Sequence, residues 1–120
     1  MAIQKIFVVG AGLMGSGIAQ NAITSGYTVI LNDQRQEALE RAKDGIVKSL
    51  DREVEKGRMS TEDRDAALAR LSIDATLEGA KEADLVIEAI FENLEAKQAV
   101  FTSLEDICPK KTIFASNTSS

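Results

Sequence analysis

The feature that most restricts this chain is a spaced run of glycines, Gly10-Ala11-Gly12-Leu13-Met14-Gly15, set between a short apolar stretch and a longer helical pattern. Lys5 to Val9 (KIFVV) is β-branched and almost uninterrupted in its apolar character, which suits a strand buried on both faces of a parallel sheet. From Leu13 to Ser25 the spacing is helical. Met14, Ile18, Ala22 and Ser25 fall on one side with Ile23 adjacent, and Gly26 supplies a stop. In such a strand-turn-helix unit Gly10 permits the tight turn, Gly12 lets the backbone approach a phosphate group, and Gly15 lets helix and strand pack closely. The N–H groups and dipole at the start of the helix then favour an anion.

The remaining chain continues the alternation. Thr28 to Asn32 (TVILN) reads as a second buried strand, closed by Asp33. From Gln36 to Lys56 the period becomes helical, with Ala38, Leu39, Ala42, Ile46, Val47, Leu50 and Val54 on the apolar side and a charged face opposite. Gly57 ends that helix, and Ser60 caps a shorter one running through Arg70. Leu71 to Ile73 is a weak strand pattern and Asp84 to Ala89 (DLVIEA) a strong one. Asn93 is the expected cap of a helix from Leu94 to Ile107, with Leu94, the Lys97 stem, Val100, Phe101 and Leu104 facing the core and Pro109 beyond its end. Thr112 to Ala115 (TIFA) is the last strand.

The order β-α-β-α-α-β-β-α-β, with apolar strands, predicts an α/β architecture: a doubly wound parallel sheet covered on both faces by right-handed crossovers. This is the Rossmann-type dinucleotide fold, expected here without its last strands. Residues 1–120 form one domain, since 120 residues suffice for a single core and no internal repeat suggests two.

Asp33 adds specificity to the glycine motif. It ends the second strand at about the distance where an acid accepts the hydroxyls of an adenosine ribose, and its charge would repel the extra phosphate of NADP. Arg35 works the other way, because an arginine there could neutralise that phosphate. NAD is the favoured cofactor and NADP the less favoured one, while FAD and S-adenosylmethionine remain compatible with the glycine turn alone.

A formal net charge of −5 argues against nonspecific nucleic-acid binding, yet does not exclude an anionic small ligand at a helix start. The single cysteine, Cys108, can form no internal disulfide and sits in an apolar pattern without an activating base, so it reads as inert packing in a reducing compartment. The opening MAIQKIFVVGAG resembles a signal peptide only superficially, because its apolar run is interrupted by glycines and feeds a motif that needs a strand there. No stretch is long and apolar enough to span a membrane as a helix, and the expected location is cytoplasmic.

Beyond the glycine turn the chain resembles the 3-hydroxyacyl-CoA dehydrogenases, especially the bacterial 3-hydroxybutyryl-CoA type. The matching stretches are VVGAGLMGSGIAQ (Val8 to Gln20), DLVIEAIFENLEAKQAVF (Asp84 to Phe101) and TIFASNTSS (Thr112 to Ser120). Generic dinucleotide domains lack the last two. The resemblance implies cofactor contacts at Gly10, Gly12, Leu13, Met14, Gly15, Asp33, Ala89, Ile90, Phe91, Glu92, Lys97, Asn117 and Ser119. Ser119 also corresponds to a serine near the substrate hydroxyl, with Asn117 in the same loop. Ser49 and Lys56 match positions that touch coenzyme A; each has a plainer reading, as a solvent-facing serine and as a lysine favoured by a helix C-terminus.

In this family a histidine held by a glutamate takes the proton of the 3-hydroxyl while hydride passes to the nicotinamide, and the chemistry belongs to fatty acid and butyrate metabolism. The chain contains no histidine, so Ser119 is no activated nucleophile. The family's histidine, glutamate and helical C-terminal domain would lie beyond Ser120. The resemblance therefore implies that these residues bind NAD and contact an acyl-CoA without turning it over, and that the parent is a homo-oligomer. Two other readings stay open: a non-catalytic crystallin-like or NAD-sensing protein on the same fold, and an NAD-dependent dehydrogenase of a free 3-hydroxy acid. No metal site is expected.

Overall fold

A computed structural model describes residues 3–89, 94–108 and 112–116, with side chains at all of these except 94–97, 101 and 116. The elements run β1 (Lys5–Val9), α1 (Leu13–Thr24), β2 (Thr28–Asn32), α2 (Gln36–Glu55), α3 (Thr61–Ala69), β3 (Leu71–Asp74), a 3-10 turn (Glu78–Glu82), β4 (Leu85–Glu88), α4 (Leu94–Ile107) and β5 (Ile113–Ser116). The strands form one parallel sheet in the order β3-β2-β1-β4-β5. The chain starts at the centre of the sheet, winds outward through β2 and β3, then returns to pair β4 with the other side of β1. This is the predicted doubly wound arrangement, and it leaves a crevice at the carboxyl ends of β1 and β4, where the winding reverses.

Strand β1 shows why its pattern is apolar at every position but the first. Ile6 and Val8 join the core beneath α1, α2 and α3, whereas Phe7 and Val9 join a second core with Ala80, Ala83, Val86 and Leu104. Successive side chains on a strand point to opposite faces, so a central strand covered on both sides must be apolar at odd and even positions alike. Helix α2 buries Ala38, Leu39, Ala42, Ile46 and Leu50 as its periodicity predicts. Ser60 caps α3 by accepting the Asp63 N–H at 3.1 Å, and Arg70 closes that helix one residue later than its last turn while its guanidinium donates to the Ile23 carbonyl of α1 at 2.6 Å.

The structure departs from the sequence reading in three places. The buried side of α1 is Gly15, Ala19 and Ile23, while Met14, Ile18 and Ala22 are half-buried and Ser25 is exposed. Small residues face the sheet because the helix lies close to it, so the larger apolar side chains occupy the flanks. The 3-10 turn is absent from the sequence pattern; it is held by burial of Ala80 and Ala83 against Phe7 and Leu104. Strand β4 runs Leu85–Glu88, one residue shorter at each end than Asp84 to Ala89, although the Asp84 and Ala89 N–H groups still donate to the Lys5 and Val9 carbonyls at 2.9 and 2.8 Å. The expected Asn93 cap lies outside the described residues. On α4, Leu104 is fully buried and Val100 packs beside it, as expected.

The closeness of α1 makes a paired test. A methyl group added at Gly15 would overlap the carbonyl oxygen of Gly10, whereas one added at Gly17 meets nothing within 4 Å. Gly15→Ala is expected to lower unfolding free energy by about 1–3 kcal/mol or more through overpacking. Gly17→Ala is expected to raise it by up to ~1 kcal/mol, the helix preference of alanine over glycine. Urea denaturation of the two variants checks both signs.

Candidate functional site

Gly10 adopts a φ of 104°, a left-handed conformation that a side chain would strain. That turn swings the chain from the end of β1 into α1, and the Gly10 N–H donates to the Asn32 carbonyl of β2 at 2.7 Å. Helix α1 begins at once: Ser16 N–H bonds the Gly12 carbonyl at 2.9 Å. Its start has no side-chain cap and no acidic residue in the first turn. Helix α3, by contrast, carries a serine cap with Glu62 and Asp63 beside it. An uncapped helix start without competing carboxylates leaves its dipole and N–H groups to an external anion. At Gly12 an added Cβ would find open space, so the backbone is approachable from the crevice.

Asp33 stands directly across this turn. Its Oδ2 accepts the Ala11 N–H at 2.9 Å and its Oδ1 accepts the Arg35 N–H at 3.0 Å. The Arg35 guanidinium adds two bonds, Nε to Oδ1 at 3.1 Å and Nη2 to Oδ2 at 3.2 Å. Burial pushes the Asp33 carboxyl up, but the hydrogen bonds from the guanidinium and the two N–H groups, with the guanidinium charge, outweigh it and hold the group below its ordinary range.

Gly10, Gly12, Asp33 and Ala89 are brought together in one cleft of about 620 Å³, which Val9, Arg35, Thr76, Leu77 and Val100 also line. Ala89 is buried beside Gly15, with its N–H donating to the Val9 carbonyl at 2.8 Å. Gly15 serves the packing of the turn rather than the cleft wall. Met14 is half-buried, and Leu13 is 94% exposed on the rim of a second groove between α1 and α2. Ser49 and Lys56 lie on that outer side, away from the nucleotide cleft. Ser49 accepts the Gln20 amide at 2.9 Å, and Lys56 is exposed at the end of α2. Ser49 lies within α2 and Lys56 follows its last residue, about 10 Å further along the helix axis. Lys97 lies on α4 with its side chain outside the description, and Ile90, Phe91, Glu92, Asn117 and Ser119 fall outside the described residues.

Asn32 lines the same cleft, and sequence reasoning gave it no role beyond the end of a strand. It is buried, and its amide donates to the carbonyls of Asp74 at 2.9 Å and Thr76 at 2.7 Å. These bonds fasten the loop after β3, whose Thr76 and Leu77 form one wall of the cleft. Cys108 behaves as predicted: its thiol donates to the Ala80 carbonyl at 3.4 Å, and burial pushes its pKa up, away from reactivity. Among the described residues no cluster of histidine, cysteine or acidic side chains could hold a metal ion. No helix among them is long and apolar enough to cross a membrane.

A parallel α/β sheet with a glycine turn at its switch point, an uncapped helix start and an acid after β2 defines a dinucleotide-binding domain. Residues 5–120 match the family model described as "3-hydroxyacyl-CoA dehydrogenase, NAD binding domain", and the chain belongs to that family. A probable 3-hydroxybutyryl-CoA dehydrogenase from Bacillus subtilis is 48% identical over 120 residues, covering 100% of this chain and 42% of that relative. A 3-hydroxyadipyl-CoA dehydrogenase from Escherichia coli is 42% identical over 98% of this chain and 25% of its own length. The solved structure of 3-hydroxybutyryl-CoA dehydrogenase from Escherichia coli superposes with a TM-score of 0.96 at 42% identity, over 100% of this chain and 25% of that one. The chain thus spans less than half the length of these relatives. Its cofactor is NAD, as the family's domain prescribes.

Asp33→Ala is expected to weaken NADH binding about tenfold or more, the worth of charge-assisted hydrogen bonds to the ribose, and to narrow the preference for NADH over NADPH. Titration calorimetry with both nucleotides reads each effect. The depressed pKa of Asp33 also sets a sign with pH. Its stabilising contribution is present above the unfolded value and lost as pH falls through the folded one. The stability advantage of wild type over Asp33→Asn should therefore shrink as pH falls below 3.8, measured by urea denaturation.

Proposed function

We propose that this chain is the cofactor-binding portion of a dehydrogenase that interconverts (S)-3-hydroxyacyl-CoA, in particular the 3-hydroxybutyryl thioester, and 3-oxoacyl-CoA. The observation that carries this reading is the single cleft joining the glycine turn to Asp33, in a chain matched end to end by a relative named for 3-hydroxybutyryl-CoA. Bound NAD supplies the hydride acceptor for the carbon bearing the 3-hydroxyl.

The chain's own residues bind and orient. The start of α1 receives the pyrophosphate, and Asp33 receives the adenosine ribose. The resemblance to the family supports assigning Ala89, Ile90, Phe91, Glu92 and Lys97 to cofactor binding. The same resemblance supports assigning Ser119, with Asn117 of the same segment, to the substrate hydroxyl. Ser49, oriented by Gln20, and Lys56 hold the coenzyme A end on the outer face of α2. The proton of the 3-hydroxyl needs a base whose pKa lies near neutrality, for which histidine at about 6.5 is suited. No histidine is present among the 120 residues, so this chain binds without catalysing turnover, and the base comes from elsewhere in the parent enzyme. The setting we propose is cytoplasmic, in keeping with a single cysteine that can form no internal disulfide.

Titration of the 120-residue chain with NADH beside NADPH is expected to give saturable binding that favours NADH. Absence of binding by a folded chain would sink the nucleotide site as a self-sufficient unit. For the substrate end, Lys56→Ala is expected to weaken acetoacetyl-CoA binding roughly two- to fivefold while leaving NADH binding unchanged, the effect of losing one exposed charge contact to phosphate. Equal binding of acetoacetyl-CoA by the variant and wild type would remove Lys56 from the coenzyme A site.

A further inference from the structure

We propose that Arg35 is a displaceable counter-ion: it occupies the ribose-binding positions of Asp33 until a nucleotide enters, and so tunes cofactor affinity and selectivity. The proposal rests on the reading of Asp33 as the ribose acceptor. The Arg35 guanidinium meets the carboxylate side-on, with Nε on Oδ1 at 3.1 Å and Nη2 on Oδ2 at 3.2 Å. Each oxygen also accepts one backbone N–H, from Arg35 at 3.0 Å and from Ala11 at 2.9 Å. An ionised carboxylate offers about four acceptor positions, and these four donors fill them.

The four bonds are not equivalent. The Ala11 bond ties the glycine turn to the end of β2, and the Arg35 N–H bond sets the entry into α2. Giving up either would disturb the turn itself. A ribose diol that bonds Asp33 must therefore take the two positions held by the guanidinium. The surroundings allow that exchange. The Asp33 side chain is only 10% exposed, whereas that of Arg35 is 61% exposed. Arg35 also borders both the nucleotide cleft and the groove between α1 and α2, so its guanidinium can swing aside into water while the carboxylate stays in place.

Exchange has a cost for NADH that it does not have for NADPH. The diol of NADH needs the carboxylate and gains nothing from a cation held against it. The 2′-phosphate of NADPH is repelled by Asp33 but attracted by the guanidinium. Arg35 thus raises the Kd for NADH and blunts the discrimination that Asp33 alone would impose.

The test is direct titration of the 120-residue protein with NADH and with NADPH. Wild type, Arg35→Ala, Arg35→Gln, Asp33→Asn and the Asp33→Asn/Arg35→Ala double variant are compared, with circular dichroism to confirm folding. Both Arg35 variants are expected to lower the Kd for NADH about two- to fivefold, the range an exposed ion pair is worth, without lowering that for NADPH. The gain should vanish in the Asp33→Asn background. An unchanged or raised Kd for NADH in either Arg35 variant would overturn the proposal. So would an equal gain for NADPH, or a gain that persists when Asp33 is asparagine. NADH affinity in Asp33→Asn equal to that of wild type would instead overturn the ribose reading, which keeps the two failures distinguishable.

Discussion

The close approach of α1 to the end of β1 is the contact on which the rest of the site depends. Gly15 sits over the carbonyl of Gly10 with no room for a side chain between them. That contact brings the helix start directly onto the turn, in line with the carboxyl end of the central strand. It also sets Ala89 against the same turn from β4. The crevice at the switch point is therefore bounded by backbone on two sides. Its chemistry comes from N–H groups and a helix dipole more than from side chains, so a chain of net negative charge can still receive a polyphosphate there.

Asp33 has two duties that pull against each other. Through Ala11 it fastens the glycine turn to β2, and through its remaining acceptor positions it is the candidate ligand for the ribose. Neighbouring Asn32 performs a purely structural version of the same task, anchoring the loop after β3 so that Thr76 and Leu77 face Asp33 across the cleft. Both residues line the cleft, Asn32 holding its wall and Asp33 offering a carboxylate to it.

The coenzyme A candidates lie on separate ground. Ser49 lies on α2 and Lys56 just beyond its end, and the Gln20 amide that bonds Ser49 comes from α1. Helix α1 thereby bears on both candidate sites, with its first turn at the nucleotide cleft and its second half against α2.

The residues alone determined the order of strands and helices along the chain, the glycine turn, Asp33 and the apolar stripe of α2, because each is written locally: uninterrupted apolar runs for strands buried on both faces, period 3.6 for helices, and glycine where the backbone needs it. They misplaced the buried side of α1, since Gly15 and Ala19 carry almost no hydrophobic signal and are buried only because the helix comes close to the sheet. They were silent on Asn32, whose partners at Asp74 and Thr76 are 42 and 44 residues away. They were equally silent on the 3-10 turn, a polar segment held by two alanines against distant core residues. Whether Arg35 faces solvent or grips Asp33 was likewise decided only in three dimensions. Local spacing records which face a residue shows; the partner it meets there depends on how separate elements pack.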